Sequence, residues 1–154
     1  MRRCAALLTV LVVAGCGSGS SGTKSAYVAK ANAICRRYQR KINALPPPRS
    51  AMETRGLLDR TAALVAQELR MLRRLKPPRE KRALVRRELT ARADLLAAFR
   101  RDERLVVRYA DEVAKGHRGT AAFRAITNDL DPRQEKVRRL DRKLGLTACL
   151  REFR

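Results

Sequence analysis

The chain has no tryptophan, one histidine and few carboxylates: 15 Asp and Glu stand against 36 Lys and Arg in 154 residues. Each shortage removes a class of chemistry. With only 4% aromatic residues there is no stacking platform for single-stranded nucleic acid, and no nucleic-acid partner is expected. The lone His117, set between Gly116 and Gly119, cannot complete the paired Glu-x-x-His motifs of a di-metal carboxylate bundle. No Ser, Cys or carboxylate partner neighbours it, so His117 reads as a solvated loop residue and no catalytic residue is assigned. Cys-x-x-Cys spacing is missing, which leaves zinc without ligands. No strand pattern precedes a Gly-rich phosphate loop. Neither a metal nor a cofactor is expected.

The shortage of acids is uneven, since residues 1–52 contain none. Arginine supplies 28 of the 36 basic residues, which codon composition can explain, but codon composition does not explain the missing carboxylates. A formal charge of +21 therefore points to an anionic neighbour. With 45% hydrophobic and 33% charged residues, the chain is too apolar for a disordered tail and too charged for a polytopic membrane protein. One modest domain fits the length.

What the chain does have begins with an address. Met1-Arg2-Arg3 is a short positive region, Ala5 to Val13 an apolar run, and Val13-Ala14-Gly15-Cys16 a small-residue site ending in cysteine. The run is about half the ~20 residues that cross a hydrocarbon core, so export is favoured over a retained transmembrane helix. Val13, Ala14, Gly15 and Cys16 resemble the lipobox of bacterial lipoproteins, which implies a diacylglyceryl group on Cys16 and cleavage before it. An ordinary secretory signal with a chance cysteine is the alternative. Residues 1–15 are then the signal peptide, 16–24 a lipidated, Gly/Ser-rich linker, and 25–154 the folded domain. Losing Arg2 and Arg3 from the 36 basic residues leaves +19 against the same 15 acids. The implied location is the outer face of the cytoplasmic membrane, with the membrane itself a partner through the lipid.

Of four cysteines, Cys4 leaves with the signal and Cys16 takes the lipid. Cys35 and Cys149 remain as a pair in an oxidising compartment, and a disulfide is the natural inference. Two free buried thiols are the competing reading.

Helices follow from period and punctuation. Val28, Ala31, Cys35, Tyr38, Ile42 and Leu45 recur at steps of three and four, giving an amphipathic helix from Ser25 to Leu45 that Pro46-Pro47-Pro48 stops. Arg36, Arg37, Arg40 and Lys41 fall mostly off this stripe and are candidate anion contacts. Ser50 with Glu53 is a capping-box signature for a second helix, ending before Pro77-Pro78. A third pattern from Arg79 to Lys115 would be ~55 Å long at 1.5 Å per residue, so it must overhang or bend, most readily at Arg100 to Arg104. The polar seam residues Arg92 and Glu103 are expected to be satisfied at the surface, Arg92 by snorkelling and Glu103 by pairing with Arg100 or Arg104, the alternatives being Arg92 as a buried anion receptor and Glu103 as a buried carboxylate. Tyr27, Tyr38 and Tyr109 read as core-edge residues. A fourth pattern from Phe123 to Leu144 contains Asp131-Pro132, which suggests a kink or a restart, and Gly145 supplies a left-handed stop.

The expected fold is all-α, an antiparallel four-helix bundle whose first and last helices lie side by side and bring Cys35 to Cys149. Ala31-Asn32-Ala33-Ile34-Cys35-Arg36, Leu75-Lys76-Pro77-Pro78 and Leu144-Gly145-Leu146-Thr147-Ala148-Cys149 form an ordered set. Together they resemble small exported helical lipoproteins of actinobacteria. The resemblance implies fold and location and leaves function open. The leading expectation is a non-enzymatic, lipid-anchored envelope domain whose basic faces contact anionic lipid, wall polymer or a protein partner. A structural or sensory accessory subunit with incidental charge comes second, and an enzyme or nucleic-acid binder is a remote third.

Overall fold

The computed structural model describes residues 21–117 and 120–150, and every regular element among them is helical. The elements are α1 (Ser21–Asn43), α2 (Ala51–Arg73), α3 (Arg82–Arg101), α4 (Glu103–Ala114) and α5 (Thr120–Leu144), with short 3-10 turns at Arg79–Lys81 and Thr147–Cys149. They pack as a helical bundle in which α5 lies on α3 and α4, and α2 contacts α1, α3 and α4. Val13, Ala14, Gly15 and Cys16 lie outside the described residues.

Local chemistry explains most of the boundaries. Ser50 caps α2 by accepting the Glu53 N–H at 3.2 Å, while the Glu53 carboxylate takes the Arg49 N–H at 2.7 Å rather than that of Ser50. The helix α1 starts at Ser21, four residues earlier than the expected boundary at Ser25. The long third pattern divides at Asp102, inside the charged run Arg100–Arg104, into helices of 20 and 12 residues. The Asp102 carbonyl accepts from both Leu105 and Val106, so the chain turns without abandoning backbone hydrogen bonds.

Of the two expectations at Pro132, a kink or a restart, the restart does not occur. Helix α5 runs from Thr120 to Leu144 with Pro132 inside it, and Asp131 is not an N-cap. Proline removes one N–H, whose partner would be the Asn128 carbonyl. Both Asn128 and Pro132 are exposed, so water can satisfy that carbonyl. The stop at Gly145 is as expected: φ is 78°, the Leu146 N–H reaches the Asp141 carbonyl at 2.9 Å, and the Gly145 N–H reaches that of Arg142 at 3.1 Å. This double bond pattern turns the chain sharply back after α5.

That turn, rather than α5 itself, carries the contact of the C-terminal part with α1. The Asn32 side chain accepts the Ala148 N–H at 2.9 Å and donates to the Gly145 carbonyl at 3.3 Å. One helical turn further on, Cys35 is bonded to Cys149, with the two Cα atoms 5.1 Å apart. The side-by-side pairing of first and last helices is thus replaced by a contact through Leu146–Cys149. The side chains of Tyr27, Ala31, Leu72, Val85, Leu144 and Leu146 close the core around this bridge, and Ala91, Val137 and Leu140 extend it between α3 and α5. The far end is less dense. No residue of α4 is buried, and Val113 and Phe123, both on the expected apolar stripes, are 48% and 50% exposed.

Candidate functional site

The first helix carries six basic residues, Lys24, Lys30, Arg36, Arg37, Arg40 and Lys41, and no acid. Arg36, Arg37, Arg40 and Lys41 are all exposed, as expected, and none joins an ion pair among the described residues. Arg40 and Lys41 occupy the last turn, where a cation complements the negative end of the helix dipole. The Lys41 ammonium lies 5.2 Å from the Tyr38 ring centroid, within cation–π range.

The structure adds cations that sequence reasoning did not single out. Where α1 meets the joint between α2 and α3, a cleft of about 740 Å³ is lined by Lys30, Arg74, Lys76, Arg79 and Arg82, with Glu80 as its single acid. None of these six side chains is ion-paired among the described residues. Lys76 and Arg79 flank Pro77-Pro78 in the sequence, but their meeting with Lys30, 46 residues away from Lys76, needs the fold. Five positive charges facing one negative make the cleft attractive to phosphate, sulfate or carboxylate groups.

Beneath this surface sits a buried ionic cluster. Arg92 of α3 pairs with Glu88 one turn earlier, and its Nη2 reaches both carboxylate oxygens of Asp141 on α5 at 2.8 and 2.7 Å. Glu88 and Asp141 are 1% and 0% exposed. Arg92 therefore does not snorkel to the surface; two carboxylates buried on its own side hold it inward. One guanidinium between two carboxylates leaves excess negative charge in a poorly solvated place, and the proton affinities follow. Burial pushes the Asp141 carboxyl up, Arg92 opposes this and Glu88 adds to it. Arg92 is raised despite its burial, because Glu88 and Asp141 both favour its charged form. The Tyr27 hydroxyl is pushed up to about 12, first by burial and then by Glu88. The cluster clamps α3 to α5.

Comparison with family models, curated proteins and solved structures finds no match to this chain.

The remaining expected positions are placed as follows. His117 is exposed beyond the end of α4. Glu103 pairs with Arg55 of α2 at 3.2 Å, not with Arg100 or Arg104, because the turn at Asp102 aims it across the bundle. Tyr27 and Tyr38 are buried, whereas the half-buried Tyr109 packs its ring 5.6 Å from that of Phe123. Among the described residues no group of three or more His, Cys, Asp or Glu is placed to hold a metal ion, and no helix is long and apolar enough to cross a membrane.

Proposed function

We propose that the chain is a lipid-anchored, non-enzymatic cell-envelope lipoprotein whose basic helical domain contacts anionic groups at the outer face of the cytoplasmic membrane. The address rests on the residues Met1 to Cys16. The contact rests on one observation: the acid-free helix α1 exposes Arg36, Arg37, Arg40 and Lys41 without ion-pair partners among the described residues and contributes Lys30 to a second cationic surface. Cations outside any internal ion pair remain free to attract an external anion. A Gly/Ser tether of residues 17–20 ahead of α1 has a root-mean-square reach of roughly 11 Å, which keeps the start of that helix within about two Debye lengths of anionic head groups.

Two measurements test the two halves of this reading separately. Cys16→Ser should move the protein from the membrane to the soluble fraction of disrupted cells. Continued detergent-dependent association would count against lipidation. The same unacylated variant should bind phosphatidylglycerol vesicles and not phosphatidylcholine vesicles, with affinity falling steeply as salt rises. Changing Arg36, Arg37, Arg40 and Lys41 together to Glu should weaken that binding at least tenfold, given ~1 kcal/mol per cation near the surface. Equal binding to both vesicle types would sink the electrostatic contact.

A further inference from the structure

The loose end of the bundle encloses a second cavity, of about 410 Å³, between α2, α3, α4 and α5. Its walls are mainly aliphatic and aromatic: Val65, Leu95, Leu96, Phe99, Ile126 and Leu130 represent the four-helix lining together with Val106 of α4. The volume falls in the range of small-molecule sites, which are apolar with a few polar groups at one place. Those polar groups, Glu68, Arg92, Asp131, Gln134 and Arg138, gather toward the end nearest the disulfide. Thr61, Val106 and the half-exposed Phe123 mark the other end.

Shape narrows the occupant. The α5 lining extends from Phe123 to Arg138, ~22 Å at 1.5 Å per residue, so the cavity is elongated along the bundle. A modest volume drawn out over that length suits an extended chain better than a compact fused-ring ligand. Packing supports an occupant as well. The α4 residues Leu105, Val106, Tyr109 and Ala110 face partners closely enough to be half-buried, yet none is fully buried. An apolar space of this size is poorly solvated by water, and its lining forfeits contacts until something fills it.

Charge sets the direction of entry. At the polar end Arg92 is already engaged by Glu88 and Asp141, which leaves the lining carboxylates Glu68 and Asp131 against the guanidinium of Arg138. An anionic head group is repelled there. At the opposite end the exposed Arg60, Arg104 and Arg124 adjoin the lining residues Thr61, Val106 and Phe123 along their helices. We propose that this slot binds a single unbranched hydrocarbon chain, tail inward, with its anionic head at the Phe123 end, as in a long-chain fatty acid or a lysophospholipid. The site is separate from the cationic face of α1 and does not depend on the contact proposed for it.

The test uses the full chain and the fluorescent polyene cis-parinaric acid. Saturable one-to-one binding is expected, displaced by palmitate and not by octanoate or by cholesterol. Parallel displacement by lysophosphatidylglycerol separates the two sources of the chain: success of palmitate alone assigns a free fatty acid, and success of both assigns the alkyl chain as the recognised element. Val65→Trp and Leu130→Trp, which fill the slot, should each weaken binding about tenfold or more while leaving helicity intact. Should a tryptophan prevent folding, Thr127→Leu fills part of the same wall with less bulk and should weaken binding in the same direction. The α1 charge-reversal variant should bind the probe as the unaltered chain does. Absence of saturable binding, unchanged affinity in the filled variants, or a dimer that forms through this face and is abolished by Val65→Trp would each overturn the proposal.

Discussion

Replacing Cys35 and Cys149 together is expected to lower the unfolding free energy by about 2 to 5 kcal/mol. The bridge spans 114 residues, and closing so long a loop removes more conformations from the unfolded chain than closing a short one. Against a total of about 5 to 15 kcal/mol for an ordinary domain, the loss decides whether most molecules stay folded at body temperature. Two control forms separate the causes. Both positions are buried, so serine also buries a hydroxyl at each, whereas alanine does not. If loop closure dominates, the alanine and serine pairs should lose similar amounts, and the denaturant slope should rise because the unfolded chain is less compact. A loss below 1 kcal/mol in the alanine pair would show that the contacts around Asn32 hold the C-terminal turn without the bond.

Arg92→Met should cost about 3 to 5 kcal/mol, since it leaves Glu88 and Asp141 buried without their cation. Asp141→Asn acts differently, because it removes the excess negative charge while keeping a hydrogen-bonding side chain beside Arg92. The sign of its pH effect follows from the raised Asp141 carboxyl. Above the ordinary carboxylate range the folded protein holds a proton that the unfolded chain has released, so this group makes stability fall as pH rises through that window. Tyr27, pushed up to about 12, stays protonated throughout. Asp129, held low by its hydrogen bond from Arg133, contributes the opposite slope at more acidic pH, and equally in both proteins. Melting temperatures measured from about pH 4.5 to 8 should therefore decline more in the unaltered protein than in Asp141→Asn. Parallel curves would mean that Asp141 is ionised across the whole range. Replacing Glu88, Arg92 and Asp141 together with apolar residues of similar volume should cost far less than Arg92→Met alone.

The helices, their caps and the cysteine bridge were legible because each depends on residues close in sequence or on arithmetic over very few of them. Ser50 and Glu53 cap α2, Gly145 ends α5 in the left-handed region, and Cys35 had one plausible mate. The restart at Pro132 was over-read: a proline rule that holds in a helix interior weakens where the deprived carbonyl faces water. The buried cluster was missed for a different reason. Arg92 and Asp141 are 49 residues apart, and the sequence gives no sign that Asp141 lies inward, since it sits among Arg138, Arg139, Arg142 and Lys143 like any solvated acid. Glu103 likewise found Arg55 on another helix rather than its sequence neighbours. The cationic cleft and the apolar slot are products of helix placement, and only their separate walls can be read along the chain.

Joining residue 35 to residue 149 also changes the topology of the molecule under attack. The covalent chain becomes a ring carrying two tails, the first of which holds Cys16. A protease that cuts once within the ring, for example at the exposed Lys115–Gly116 turn, opens it without separating the fragments. A second cut, or reduction of the bond, is needed before either piece can leave. If the chain is anchored by its first tail, as proposed, a single nick loosens the fold without releasing either piece.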